Sequence, residues 1–166
     1  MKKITTLLLL TGVSGLLSAG NLQLLENGNI ELDGWRATPT TYTENWHGLQ
    51  PAADRQIFKR IKSENGVLFQ MDFTNGTAGK LALALEGEER VVSSVEMERG
   101  TLVKPFCLNS LLPVSRYRGT SFEVDGKIYQ FPKEFTKEAL YAGSAKRFRI
   151  PVKNGEILIE GNYYLR

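Results

Sequence analysis

The chain has 166 residues, with 21 Lys and Arg against 18 Asp and Glu, one His, one Cys and 16 Gly. Its 42% hydrophobic share and formal charge of +3 exclude a disordered chain, and one Cys excludes a disulfide framework or a cysteine-rich zinc module. One His also excludes any three-histidine metal site within the chain.

Residues 1–20 have the order of a secretory signal peptide: Met1-Lys2-Lys3 make a basic start, Leu7-Leu8-Leu9-Leu10 a short apolar run, and Ser18-Ala19-Gly20 a small-residue cut site. Cleavage after Ala19 and cleavage after Gly20 both fit, and either leaves about 146 residues. The stretch from Ile4 to Leu17 is interrupted by Thr5, Thr6, Thr11, Gly12, Ser14 and Gly15 and falls short of the roughly 20 residues of a spanning helix. No membrane span is therefore expected after leader cleavage, and the expected location is secreted or periplasmic. No Cys follows the apolar run to carry a lipoprotein anchor. Two lysines and no acid lie in the leader, so residues 21–166 carry 19 basic against 18 acidic residues, a charge of +1.

Past the leader, Gly34 to Gly48 holds both tryptophans, Tyr42, His47 and several hydroxyls within fifteen residues. Pro39 and the threonine run suggest a loop or irregular strand. There an exposed aromatic face flanked by polar groups can stack on a sugar ring and hydrogen-bond its hydroxyls. Trp46, Tyr42, His47, Trp35, Arg36 and Glu44 are the candidate ligand-binding residues. The competing reading makes Trp35 and Trp46 core plugs beneath a long loop, with burial the stronger expectation for Trp35.

The runs 56–62 and 67–73 flank Asn65-Gly66, which reads as a hairpin with a tight turn. Leu81 to Leu85, Arg90 to Met97 and Thr101 to Val103 read as further strands, bounded by Gly79, Gly87 and Gly100. Cys107 lies among apolar residues, as a buried structural thiol does, and no motif pairs it with His47 as a nucleophile.

Ser121 to Val124, Asp125-Gly126 and Lys127 to Phe131 form the clearest hairpin, with Phe122 and Val124 sharing a face with Ile128 and either Tyr129 or Phe131. One helical turn is expected at residues 132–138. A third hairpin joins Lys146–Val152 to Glu156–Gly161 through Asn154-Gly155. Phe148, Ile150 and Val152 alternate there with Arg147, Arg149 and Lys153, and Pro151 puts that strand at an edge or turns its N-side to solvent. About nine strands without βαβ alternation predict an antiparallel β-sandwich of jelly-roll type, with a closed barrel as the alternative. No linker or composition shift divides residues 21–166, which read as one domain.

Catalytic signals are sparse. There is no Gly-x-Ser-x-Gly elbow, phosphate-cradling loop, His-Glu-x-x-His or Asp-rich calcium loop. Eighteen acids do not single out a glycosidase pair. The basic groups at Arg55, Lys59, Arg60 and Lys62 and at Lys146, Arg147 and Arg149 are too small for a nucleic-acid stripe, so no nucleic-acid partner is expected.

Residues Asn21 to Trp35, with Leu24-Leu25-Glu26-Asn27-Gly28-Asn29-Ile30-Glu31 and Gly34-Trp35, resemble the opening of secreted carbohydrate-binding modules of the galactose-binding-like jelly-roll superfamily. Asn29 replaces the usual acid of that pattern and Ile30 its aromatic. Leu112-Pro113-Val114, Val124-Asp125-Gly126-Lys127 and Ile150-Pro151-Val152-Lys153-Asn154-Gly155 are similar to accessory β-domains of secreted bacterial glycoside hydrolases. The resemblance implies a non-catalytic, glycan-associated module with a ligand site on loops at one end and a structural calcium, and no ligand residue carries over by motif. The alternative is a structural or protein-interaction sandwich that adds a partner at an edge strand, with Phe148–Val152 the candidate edge. A glycan-active hydrolase is the third reading.

Overall fold

The two-residue alternation in the sequence becomes two antiparallel sheets in a computed structural model, which describes residues 6–11, 22–64, 66–87, 90–102, 104, 106–112, 114–136, 139–152 and 155–165. In chain order the strands are β1 (Thr6–Thr11), β2 (Gln23–Leu24), β3 (Ile30–Leu32), β4 (Trp35–Tyr42), β5 (Gly48–Leu49), β6 (Phe58–Ile61) and β7 (Gly66–Asp72). There follow β8 (Ala78–Glu86), β9 (Arg90–Arg99), β10 (Cys107–Leu111), β11 (Ser121–Val124), β12 (Lys127–Gln130), β13 (Gly143–Val152) and β14 (Gly155–Leu165). One four-residue helix, α1 (Val114–Tyr117), stands between β10 and β11.

The larger sheet runs β12-β11-β13-β14-β1-β9-β8-β7-β6, and the smaller runs β10-β4-β3-β2 with β5 added to β4. Every pairing is antiparallel, and β12 and β6 end the larger sheet without pairing to each other. The architecture is therefore an all-β sandwich with open sheets, not the closed barrel.

Alternation builds the core. Val67, Phe69 and Met71 of β7, Leu81 and Leu83 of β8 and Val91 and Val95 of β9 are buried and form one cluster with Ile30, Trp35 and Ala37 of the smaller sheet. Gly28, in the turn between β2 and β3, lies close enough to the Phe69 and Leu83 side chains that a Cβ would meet them at 3.1 and 3.3 Å. This contact ties the smaller sheet to β7 and β8. A second part of the same cluster is aromatic: Tyr117, Phe122 and Phe131 are buried, with Phe122–Phe131 ring centres 4.7 Å apart. Each fully buried side chain of this size is worth about 1.5–3 kcal/mol in removal from water.

Turn chemistry explains the tightest hairpins. Val124 pairs with Lys127, and Asp125 and Gly126 both have positive φ, at 48° and 82°, as a two-residue type I′ turn requires. The Asp125 carboxylate also accepts the Lys146 and Arg147 backbone N–H groups at 3.0 and 2.8 Å, beside the bulge in β13. Asp33 and Gly34, with φ of 48° and 81°, make the equivalent turn where Leu32 pairs with Trp35.

Several expectations change. Of Gly34–Gly48, read as a loop or irregular strand, Trp35–Tyr42 is strand β4 and only residues 43–47 are a turn between β4 and β5. Pro39 is tolerated there because β3 pairs with β4 only as far as Ala37 and β5 pairs with it only from Thr41, leaving no partner among the described residues on that side for its missing N–H. Residues 101 and 102 are not strand, Val103 lies outside the described residues, and there are fourteen strands among the described residues rather than about nine. Residues 132–136 are not helical, Lys137 and Glu138 lie outside the described residues, and the helical turn is at Val114–Tyr117 instead.

Tyr129, not Ile128, shares the face of Phe122, and Ile128 is 75% exposed. The register Ile61↔Leu68 makes the first hairpin's connection longer than Asn65-Gly66 alone, and Asn65 lies outside the described residues. In the third hairpin Val152 pairs with Gly155, so Gly155 is strand rather than part of the turn, and residues 153–154 lie outside the described residues. β13 is not an edge, since β11 and β14 flank it. Pro151 satisfies its constraint by lying past the β11 partners Phe148 and Arg149. Residues 6–11, which lie within the leader pattern, pair as β1 between β9 and β14, and the rest of residues 1–20 lies outside the described residues.

Candidate functional site

The aromatic stretch splits between the two ends of β4. Trp35, at the start, is 2% exposed and belongs to the core, while Trp46, just past the end, is 62% exposed. The strand's eight residues separate those ends by about 23 Å. Trp35 and Arg36 therefore do not join Trp46, Tyr42, His47 and Glu44 in one site. Arg36 instead donates to Glu31 at 2.7 Å beside a cleft of about 530 Å³ that Trp35, Asp33 and Leu111 help to line.

The Trp46 end is a hairpin of unusual composition. The Trp46 N–H donates to the Thr43 carbonyl at 3.0 Å, and the Thr43 N–H donates to the His47 carbonyl at 2.9 Å. The Thr43 hydroxyl oxygen accepts the His47 N–H at 3.1 Å. These bonds make Thr43–Trp46 a turn whose last residue must be left-handed, a position that favours Gly or Asn. Trp46 occupies it with φ of 61°. A bulky residue in that region costs on the order of 1 kcal/mol, and such strain concentrates at functional positions.

Around the exposed indole stand groups from separate elements. The Tyr42 ring centre lies 5.6 Å away at a 55° tilt, and the Lys104 ammonium lies 4.2 Å from the ring centre as a cation–π contact. The Tyr42 hydroxyl accepts from the Asn109 amide at 3.0 Å, which fixes the phenol against β10. Glu44, Asn45 and His47, next to Trp46 in the chain, are exposed. The result is an exposed indole flanked by the Tyr42 ring and the Lys104 ammonium, with exposed polar residues on either side of it in the chain. Lys104 and Asn109 carry no local signal in the sequence, because only the β4–β10 pairing and the chain leading into it bring them near Trp46.

Cys107 faces Thr40 across the β4–β10 pair, and desolvation pushes its thiol up from the ordinary value. The neutral thiol is the favoured form, a poor state for a nucleophile. Four residues of the basic groups are ion-paired: Arg60 with Glu26 at 2.8 Å, Lys59 with Asp72 at 3.8 Å, Arg147 with Glu160 at 3.6 Å and Arg149 with Glu156 at 3.9 Å. Among the described residues there is no group of three or more His, Cys, Asp and Glu that could hold a metal ion. No helix among them is long and apolar enough to cross a membrane. The chain matches no protein-family model, no curated protein and no solved structure.

Proposed function

We propose that residues 21–166 form an exported, non-catalytic β-sandwich that binds carbohydrate at the Trp46 surface, in the manner of an accessory module of glycan hydrolases. The observation that carries this reading is a largely exposed indole held in a backbone conformation that disfavours it. Packing does not require a tryptophan there, whereas a sugar's apolar face requires an accessible ring. In this reading Trp46 stacks on the ring, Tyr42 forms its flank, and His47, Glu44 and Asn45 meet hydroxyl groups. Trp35 supports the fold from the core, and Arg36 lies too far along β4 to take part. Export rests on the leader pattern of residues 1–20.

The test is a glycan-array screen of the folded protein beside its Trp46→Asn variant, which keeps the turn's backbone preference. Binding to at least one glycan class that disappears in the variant is the expected result; equal profiles for the two proteins would remove the proposal.

A further inference from the structure

We propose that the Trp46 surface selects acidic glycans, chains that carry an anionic group on the stacked sugar or its neighbour, and that Lys104 is the residue that reads this charge. The inference rests on the glycan reading above and adds to it the class of sugar.

Lys104 stands half-buried at a bend in the segment before β10, and its ammonium lies 4.2 Å from the centre of the Trp46 ring. Cations elsewhere on the surface are held by acids: Lys80 lies 2.6 Å from the Glu98 carboxylate and Arg60 lies 2.8 Å from that of Glu26. Lys104 forms no ion pair among the described residues. Glu44 is an exposed carboxylate in the same hairpin turn as Trp46, yet no ion pair joins it to Lys104.

A positive charge that rests on an aromatic face rather than on an acid keeps its capacity for an anion. The ring attracts the ammonium through its quadrupole, but at an exposed site that attraction is weaker than a charge-assisted hydrogen bond to a carboxylate or sulfate. An anion brought to the ring therefore takes the ammonium from it.

Stacking and charge recognition become one event at this position. A sugar ring stacked on an indole lies at van der Waals distance, about 4 Å, the height that the ammonium occupies. That face is accessible, because what covers it there is a single side chain with a flexible four-carbon stem. A sugar that seats on it moves the ammonium outward to the sugar's own rim. For a neutral sugar the exchange replaces a cation–π contact by solvent and hydroxyl contacts. For an acidic sugar it ends in an ion pair beside an aromatic ring that keeps water from one side, where charges attract more strongly than in bulk water. The surface discriminates by that difference.

The test uses paired glycans that differ in charge alone: tetragalacturonate and its methyl ester, glucuronoxylan oligosaccharides and their carboxyl-reduced forms, and sulfated and desulfated galactan oligosaccharides. The folded protein, Trp46→Asn, Lys104→Met and Lys62→Met are compared on them, the last removing an exposed lysine elsewhere as a charge control. The expected result is at least one acidic member bound about 10-fold more tightly than its neutral partner, with the preference reduced between about 20 mM and about 300 mM salt. Lys104→Met is expected to bring the pair to equal affinity while still binding the neutral member, and Lys62→Met to leave the preference intact. Trp46→Asn is expected to lose both members. The pair that responds separates carboxylate from sulfate recognition. Equal or weaker binding of the acidic members would overturn the inference, as would a preference that survives in Lys104→Met or falls equally in Lys62→Met. Each of these leaves the glycan reading in place, because that reading depends on Trp46. Binding to no glycan at all would remove both.

Discussion

The Lys104 ammonium lies 4.2 Å from the centre of the Trp46 ring, joining the segment before β10 to the tip of the β4–β5 hairpin. It steadies an indole that its own backbone conformation disfavours, with φ at 61°, and that remains mostly in water. The fold thus spends conformational energy to present an aromatic surface, and the consequences are measurable.

Trp46→Asn relieves the left-handed strain by about 1 kcal/mol and removes ring contacts of similar worth. Urea unfolding is expected to place the variant within about 1 kcal/mol of the parent. A loss of several kcal/mol would make Trp46 a structural plug.

Lys104→Met keeps the side chain's length and removes its charge. The contact is solvent-facing and worth about 0.5–1 kcal/mol, so stability is expected to change by no more than that. Acrylamide quenching of Trp46 is expected to increase as the ring loses its cover; unchanged quenching would mean that the ammonium does not occupy that face in solution.

Tyr117 is 1% exposed, and its buried hydroxyl makes no well-formed hydrogen bond among the described residues. Burial pushes this phenol up from its ordinary value of 10.0, with neighbouring Arg116 opposing the shift. Because the folded state favours the neutral form, stability is intact below the ordinary value and is lost as pH rises through the raised one. Tyr117→Phe is expected to stabilise the protein by about 1 kcal/mol at neutral pH and to flatten the fall in melting temperature above pH 10. A destabilised variant would reveal a partner for the hydroxyl.

Gly66 has φ of 153°, and a Cβ there would lie 2.1 Å from the Leu83 carbonyl oxygen. Gly66→Ala is expected to cost about 2–4 kcal/mol in denaturant unfolding. Gly76, with φ of 82° and open space around it, provides the comparison, and Gly76→Ala is expected to cost about 1 kcal/mol. Similar losses for the two would mean that β7 and β8 do not approach as closely as described.

Local chemistry was legible where it acts locally. Asp125-Gly126 announced its hairpin because both residues tolerate positive φ, and the all-β architecture followed from such turns and from alternation. Asp33-Gly34 carried the same signal, but the aromatics and threonines after it suggested a loop, although threonine and tryptophan suit a pleated strand as well. The Phe148–Val152 strand read as an edge because Pro151 forbids one hydrogen bond, yet a neighbour as short as β11 leaves that position free inside a sheet. The Trp46 surface was half legible: composition marked the aromatics, but only β4 as a straight strand separates Trp35 from Trp46. The Leu7–Leu10 run fits both a leader and a central strand, since both select short apolar segments.

The most direct test of the central claim uses the two tryptophans against each other, since Trp35 is shielded and Trp46 is open. Fluorescence of the folded protein is titrated with the glycans selected on the array, in the presence of acrylamide. The account predicts an acrylamide-accessible emission component that the bound glycan protects, and that is missing in Trp46→Asn together with the binding. Emission that is blue-shifted, resistant to acrylamide and indifferent to every glycan would contradict it.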